Sequence, residues 1–259
     1  MRAGRIGLCL SVALAGLVLA GPSVAAVGCA EGDGAWVTRA CYDVTQPGRP
    51  AYGHDVLGGT PEWDTLRVEL GPRGRAALGE TAISMVVPES QIIEDIAPRV
   101  AQVDGAGAPE VVIVISDRSR GARLAVLELS SRRLISTPPI GTRNRWLAPV
   151  GIADLDGDGA VELAYVDRPH LARVLRVWRY QDGGLEQIAA VEGVTNHRIG
   201  ESRISGGLRD CGNGPEMVLA SADWTRVVTA TLAGGQLVLR DLGLPATGAG
   251  FAAAMECGG

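Results

Sequence analysis

An acidic turn that returns at a nearly fixed interval constrains this chain more than any other feature. The stretch Asp154-Leu155-Asp156-Gly157-Asp158-Gly159-Ala160-Val161-Glu162 puts carboxylates at the first, third, fifth and ninth positions of a nine-residue loop. Worn copies flank it, around Asp104 and Glu110 on one side and around Asp210 and Glu216 on the other. The matched aspartates Asp104, Asp156 and Asp210 stand 52 and 54 residues apart, and Glu110, Glu162 and Glu216 keep that spacing. An apolar run follows each turn: 111–115, 163–166 and 217–220. A period slightly above ~40–50 residues suits a four-stranded propeller blade rather than a helical solenoid.

The strands within each period agree. The central repeat predicts strands over 146–153, 162–167, 174–180 and 185–191, with the hairpin turn Asp182-Gly183-Gly184 before the last. The preceding repeat predicts 96–103, 110–116, 123–129 and 133–137, and the following one 204–208, 216–221, 226–232 and 236–242. A more degenerate unit comes first, with strands over 54–57, 65–70 and 82–87 and no acidic turn. Ring closure is expected from Ala35-Trp36-Val37 or from the chain end near Phe251. The predicted fold is all-β: one small β-propeller over 27–259, of about four blades of four antiparallel strands, at roughly 36–92, 93–142, 143–198 and 199–250. No segment after the leader shows a helical period.

Residues 1–26 read as a secretory signal peptide, with Arg2 and Arg5 ahead of an apolar run over 6–19 and the small residues Ser23-Val24-Ala25-Ala26 at the cleavage site. The run is shorter than the ~20 residues a bilayer span needs, so no transmembrane segment is expected in the mature chain. The protein is expected in the periplasm or outside the cell; the alternative is a lipoprotein anchored at Cys29, from the loose lipobox Ala26-Val27-Gly28-Cys29. The mature chain keeps Cys29, Cys41, Cys211 and Cys257, an even number that suggests two disulfides in an oxidising compartment. Cys29–Cys41 and Cys211–Cys257 are the favoured pairs of the three possible sets. The absence of any C-x-x-C, and of histidine near a cysteine, speaks against zinc.

The formal charge is −5, and loss of Arg2 and Arg5 leaves 22 basic against 29 acidic residues, or −7. An acidic chain with no basic run is a poor partner for nucleic acid or anionic membrane. All 24 basic residues are arginine, which fits a GC-rich coding bias. A monomer is expected.

The turn from Asp154 to Leu163 resembles the D-x-D-G-D-G-x-x-E/D-L turn of FG-GAP/VCBS-type repeats, which build β-propellers in integrin α-chains and in exported bacterial proteins. The resemblance covers about 96–242, with one strong copy and two worn ones. It implies one calcium site, with side-chain ligands Asp154, Asp156, Asp158 and Glu162 and the backbone carbonyl of Ala160. The chemistry agrees, since calcium takes ~6–8 oxygen ligands in flexible geometry, and clustered carboxylates without a cation repel one another. The worn copies depart from the pattern: Gln102 and Ala106 in one, Leu208, Cys211 and Gly212 in the other. They are expected to be metal-free, with Glu110 and Glu216 capping backbone donors.

No catalytic constellation is legible. There is no G-x-S-x-G elbow, and the glycine-rich stretches belong to turns and precede no helix, which excludes a phosphate loop. Asp117, Asp167 and Asp223 follow the second strand of successive repeats, which favours a structural role. Trp63, Trp146, Trp178 and Trp224 recur blade by blade and are expected to pack between blades. Arg168, His170, Asn196, His197 and Arg198 lie in connecting loops that can converge on one channel mouth, and form the candidate ligand-binding set. The expected function is an exported, non-enzymatic propeller that binds a protein or glycan ligand or serves as a scaffold. The alternative is a cell-envelope hydrolase or lyase with its site at the channel mouth.

Overall fold

A few central strands are apolar on both faces, and these can be buried only between two other layers. A computed structural model describes residues 28–259; the signal-peptide reading of 1–26 falls outside the described residues. The fold is all-β, built as four antiparallel sheets that follow one another in chain order.

The first sheet is β1 (Cys29–Glu31), β2 (Val37–Asp43), β3 (Thr65–Leu70) and β4 (Ala82–Val86), paired in that order. The second has β5 (Gln91–Ile93) and β6 (Arg99–Ala101) laid end to end along β7 (Glu110–Asp117), then β8 (Gly121–Leu127) and β9 (Leu134–Ser136). The third is β10 (Leu147–Ala153), β11 (Glu162–Asp167), β12 (Val174–Gln181) and β13 (Gly184–Glu192). The fourth repeats the divided edge strand, with β14 (Val194–Thr195) and β15 (Gly207–Asp210) along β16 (Pro215–Ser221), then β17 (Arg226–Ala233) and β18 (Gln236–Pro245).

Strand alternation assigns each central strand to two interfaces. Val111, Ile113 and Ile115 of β7 pack with Ala40, Leu66 and Val68 of the first sheet. Val112 and Val114 pack instead with Leu147, Leu163 and Tyr165 of the third. In β11 the next residues along, Ala164 and Val166, meet Met217 and Leu219 of β16. In β16, Val218 and Ala220 turn the other way, onto Phe251 and Ala254. All eight residues of β7 are buried, and its middle, 111–115, is accordingly a continuous apolar run rather than an alternation. Gly151 of β10 marks a close approach between sheets, because a Cβ there would lie 2.3 Å from Cγ of Leu208.

Several expectations need correction. Residues 54–57 form no strand: 54 and 55 are irregular and 56 and 57 lie in a turn, although Val56 and Leu57 are buried. Val37 opens β2, a strand of the first sheet itself, and β1 precedes it. The chain end near Phe251 is a helix. Two short helices were illegible by period: α1 (Pro72–Leu78) and α2 (Gly248–Met255). Each holds about two turns, too short for a periodic stripe, and their terminal signals mark them instead. Pro72 opens α1, and Gly79 closes it in the left-handed region, donating to Arg75 O at 2.9 Å. Thr247 caps α2 by accepting from Gly250 N at 3.2 Å. The divided edge strands also escaped notice, because β5 and β14 are three and two residues long.

The two disulfides are Cys29–Cys41, between β1 and β2, and Cys211–Cys257, between the last acidic turn and the end of α2. They fit an oxidising, exported compartment. Among the described residues no helix is long and apolar enough to cross a membrane.

Candidate functional site

The acidic turn joins β10 to β11, where Ala153 and Glu162 face each other in register. Its backbone is folded by its own carboxylates. Asp154 accepts from the N–H groups of Gly157 (2.7 Å), Asp158 (3.1 Å) and Gly159 (2.9 Å), and Asp158 accepts from Ala160 N at 2.8 Å. Gly157 and Gly159 sit at φ 78° and 92°, which the tight turn requires and side chains resist. Glu162 is fully buried and accepts from Leu155 N at 2.7 Å.

The oxygens of Asp154, Asp156 and Glu162 lie within 4.8 Å of one another. A protein cation already touches this group. Arg179, opposite Glu162 in the β11–β12 register, reaches Glu162 through Nε (2.6 Å), Asp156 through Nη2 (3.0 Å) and Asp158 through Nη1 (2.8 Å). The carboxylates and the Ala160 carbonyl are oxygen donors of the kind calcium takes, but Asp158 lies outside the cluster. The guanidinium thus pairs with three of the four carboxylates named for calcium.

The worn turns hold their glutamates differently: Glu110 is buried and Glu216 partly exposed. Glu110 accepts from Val103 N at 2.7 Å and Asp104 N at 3.4 Å, as expected of a backbone cap. No arginine reaches it among the described residues, and burial pushes its carboxyl up to about 7. Glu216 is instead held by the Arg209 fork at 2.8 and 2.7 Å, and by Arg240 at 3.3 Å; the expectation of a backbone cap fails there. Arg209 also donates to Ala254 O, tying the turn to the end of α2.

His170, between β11 and β12, and His197, just after β14, meet where the third and fourth sheets adjoin. Nε2 of His170 lies 3.0 Å from Nδ1 of His197, and Nε2 of His197 lies 2.8 Å from Glu201 O. A carbonyl only accepts, so His197 carries its proton on Nε2, and His170 donates to the bare Nδ1. Trp146 packs against both, nearly parallel to His170 (centroids 6.3 Å apart) and edge-on to His197 (4.8 Å). Burial foremost, then the neighbouring ring, brings His170 down to about 4; burial also lowers His197. Both stay neutral near pH 7.

Asn196, also buried, donates to Ala148 O (3.3 Å) and Pro149 O (3.2 Å) and so bridges the fourth sheet to β10. Arg168, in the left-handed region at φ 46°, pairs with Asp167 at 2.7 Å and lines a small cleft with His54, Trp146 and His170. Arg198 departs from the group: its guanidinium lies 4.3 Å from the ring centroid of Trp224. Of the five predicted ligand residues, Asn196 commits its Nδ2 to the backbone while its buried Oδ1 has no partner, and Arg198 lines a different cavity.

A second polar chain sits beside these histidines and was missed from sequence. Nδ1 of His54 lies 2.6 Å from Oε1 of Glu94, and the Ser116 hydroxyl donates to Oε2 of Glu94. Glu94 and Ser116 are buried, and Trp146 Nε1 donates to Glu94 O at 2.8 Å. The order is serine–carboxylate–imidazole. A nucleophilic triad needs the imidazole in the middle, to take the hydroxyl proton. This chain cannot activate Ser116, which is also sealed from solvent. Glu94 gave no signal because it lies in the gap between β5 and β6. Arg179 was legible in principle, since the predicted 162–167 and 174–180 strands place it across from Glu162.

No protein-family model matches the chain, and no curated protein is significantly similar to it.

Proposed function

We propose that this chain is an exported, non-enzymatic binding or scaffold module, periplasmic or secreted, whose four sheets are the blades of a propeller-type array of FG-GAP/VCBS character. In this reading the turn from Asp154 to Glu162 is a structural cation site, with calcium as the ion and Arg179 as the cation it displaces. The single observation that carries the non-enzymatic reading is the state of the central titratable groups. His54 is committed to Glu94, Ser116 to the same carboxylate, and His170 and His197 to each other and to Glu201 O. The consecutive core clusters between neighbouring sheets, and the recurrence of a divided edge strand, support the blade reading.

An envelope hydrolase or lyase would need a free base beside an exposed nucleophile, and no arrangement among the described residues favours it. The test is a panel of glycan and ester substrates assayed with the wild-type chain and with His170→Ala and His197→Ala. The expected result is no turnover. Turnover that falls in either variant overturns the non-enzymatic reading.

A further inference from the structure

A cavity of about 450 Å³ opens between the loop that follows His197 and the start of α2. One side is apolar, formed by Trp224 and Phe251, whose rings meet edge to face with centroids 6.3 Å apart. The other is polar, with Arg198, Arg203, Glu201 and Ser205. Trp224 stands in the left-handed region at φ 60°, a conformation costly for a bulky side chain. The turn that imposes it is held by Ser221, whose hydroxyl donates to Asp223 at 2.6 Å while its carbonyl accepts from Trp224 N at 2.9 Å.

The charge here is unbalanced. Among the described residues Arg198 and Arg203 have no carboxylate partner, and Glu201 lines the same cavity without pairing to either. Arg49, Arg75, Arg118, Arg143 and Arg226 also lack a carboxylate, but each donates to backbone carbonyls. The stack on Trp224 holds the Arg198 guanidinium in place through a cation–π contact and leaves its N–H groups free. A guanidinium fork matches a carboxylate or phosphate in shape as well as charge. The adjoining aromatic side offers an apolar body dry contact.

We propose that this cavity binds a small organic anion, with a carboxylate or phosphate head for Arg198 and Arg203 and a flat apolar body for Trp224 and Phe251. The proposal rests on the binding-module reading and supplies its ligand class.

The experiment is calorimetric titration of the intact protein with benzoate, phenyl phosphate and neutral benzamide at low salt. At least one anion should bind, and benzamide about ten-fold more weakly or not at all. The two anion arms separate a carboxylate from a phosphate preference. Arg198→Gln and Arg203→Gln should each weaken the anion by about ten-fold, with melting temperatures unchanged because both side chains are exposed. Benzamide binding as well as the anions, no binding by any probe, or variants that bind like the wild type overturns the site. Absence of binding without turnover would leave the non-enzymatic module standing. Hydrolysis of phenyl phosphate would overturn that module reading while leaving anion recognition intact.

Discussion

Nε of Arg179 lies 2.6 Å from a carboxylate oxygen of the fully buried Glu162, and the same guanidinium reaches Asp156 and Asp158. A residue of β12 thus sets one positive charge against the carboxylates of the turn between β10 and β11. Removing the cation leaves a buried, uncompensated carboxylate, so Arg179→Gln should lose about 2–4 kcal/mol in denaturant unfolding without calcium. Added calcium should restore stability in the variant, with an affinity at least about ten-fold above that of the wild type. If calcium shifts the melting temperature of neither protein, the calcium site is wrong.

Glu110 should make the fold less stable as pH rises. Burial raises its carboxyl from 4.5 to about 7, so between those values the folded chain holds a proton that the unfolded chain has lost. Its contribution is complete below pH 4.5 and gone above about 7. Unfolding free energies measured from pH 4 to 8 should fall by about 2 kcal/mol more in the wild type than in Glu110→Gln. Parallel curves would show that the carboxyl titrates normally.

His170 acts in the opposite direction over nearly the same range. Its folded value, about 4, lies below the ordinary 6.5, so the unfolded chain takes up a proton first as pH falls. The stability it contributes is present above pH 6.5 and is lost on descent to about 4. His170→Gln should flatten this slope by up to about 2 kcal/mol. Because the two groups oppose each other, the wild-type curve alone is uninformative. NMR titration of the His170 ring should find it neutral at pH 6, and a charged ring there would contradict its burial against Trp146 and His197.

The disulfides should differ in worth. Cys211–Cys257 closes 46 residues and Cys29–Cys41 closes 12. On loop entropy the longer should contribute about 4 kcal/mol and the shorter about 3. The longer bridge also holds α2, whose Phe251 and Ala254 cover Val218 and Ala220. The double variant Cys211→Ser/Cys257→Ser should therefore expose the fourth sheet, read as faster amide exchange in β16 than in β7. Uniform exchange across both strands would show that α2 docks without its tether.

The recurring turn, the alternation inside each repeat and the apolar runs after each glutamate were enough to read an all-β chain with repeated four-stranded units, because these signals are local. They placed most strands of the second, third and fourth sheets within a few residues. Cysteine parity and position also pointed to the pairs that form. The sequence did not reveal β5 and β14, which are too short to carry a period and exist only because β7 and β16 offer them free edges. Nor did it reveal the two short helices as a pattern, since two turns carry no stripe. The convergence of His54, Glu94 and Ser116, residues 40 and 22 positions apart, required the sheets to be stacked. The departure of Arg198 toward Trp224 was likewise a tertiary decision, since a loop's side chain goes where packing offers it a partner. The acidic turn belongs to both levels: its carboxylate spacing is written in the chain, but the cation beside it was decided by strand register, which sets Arg179 opposite Glu162.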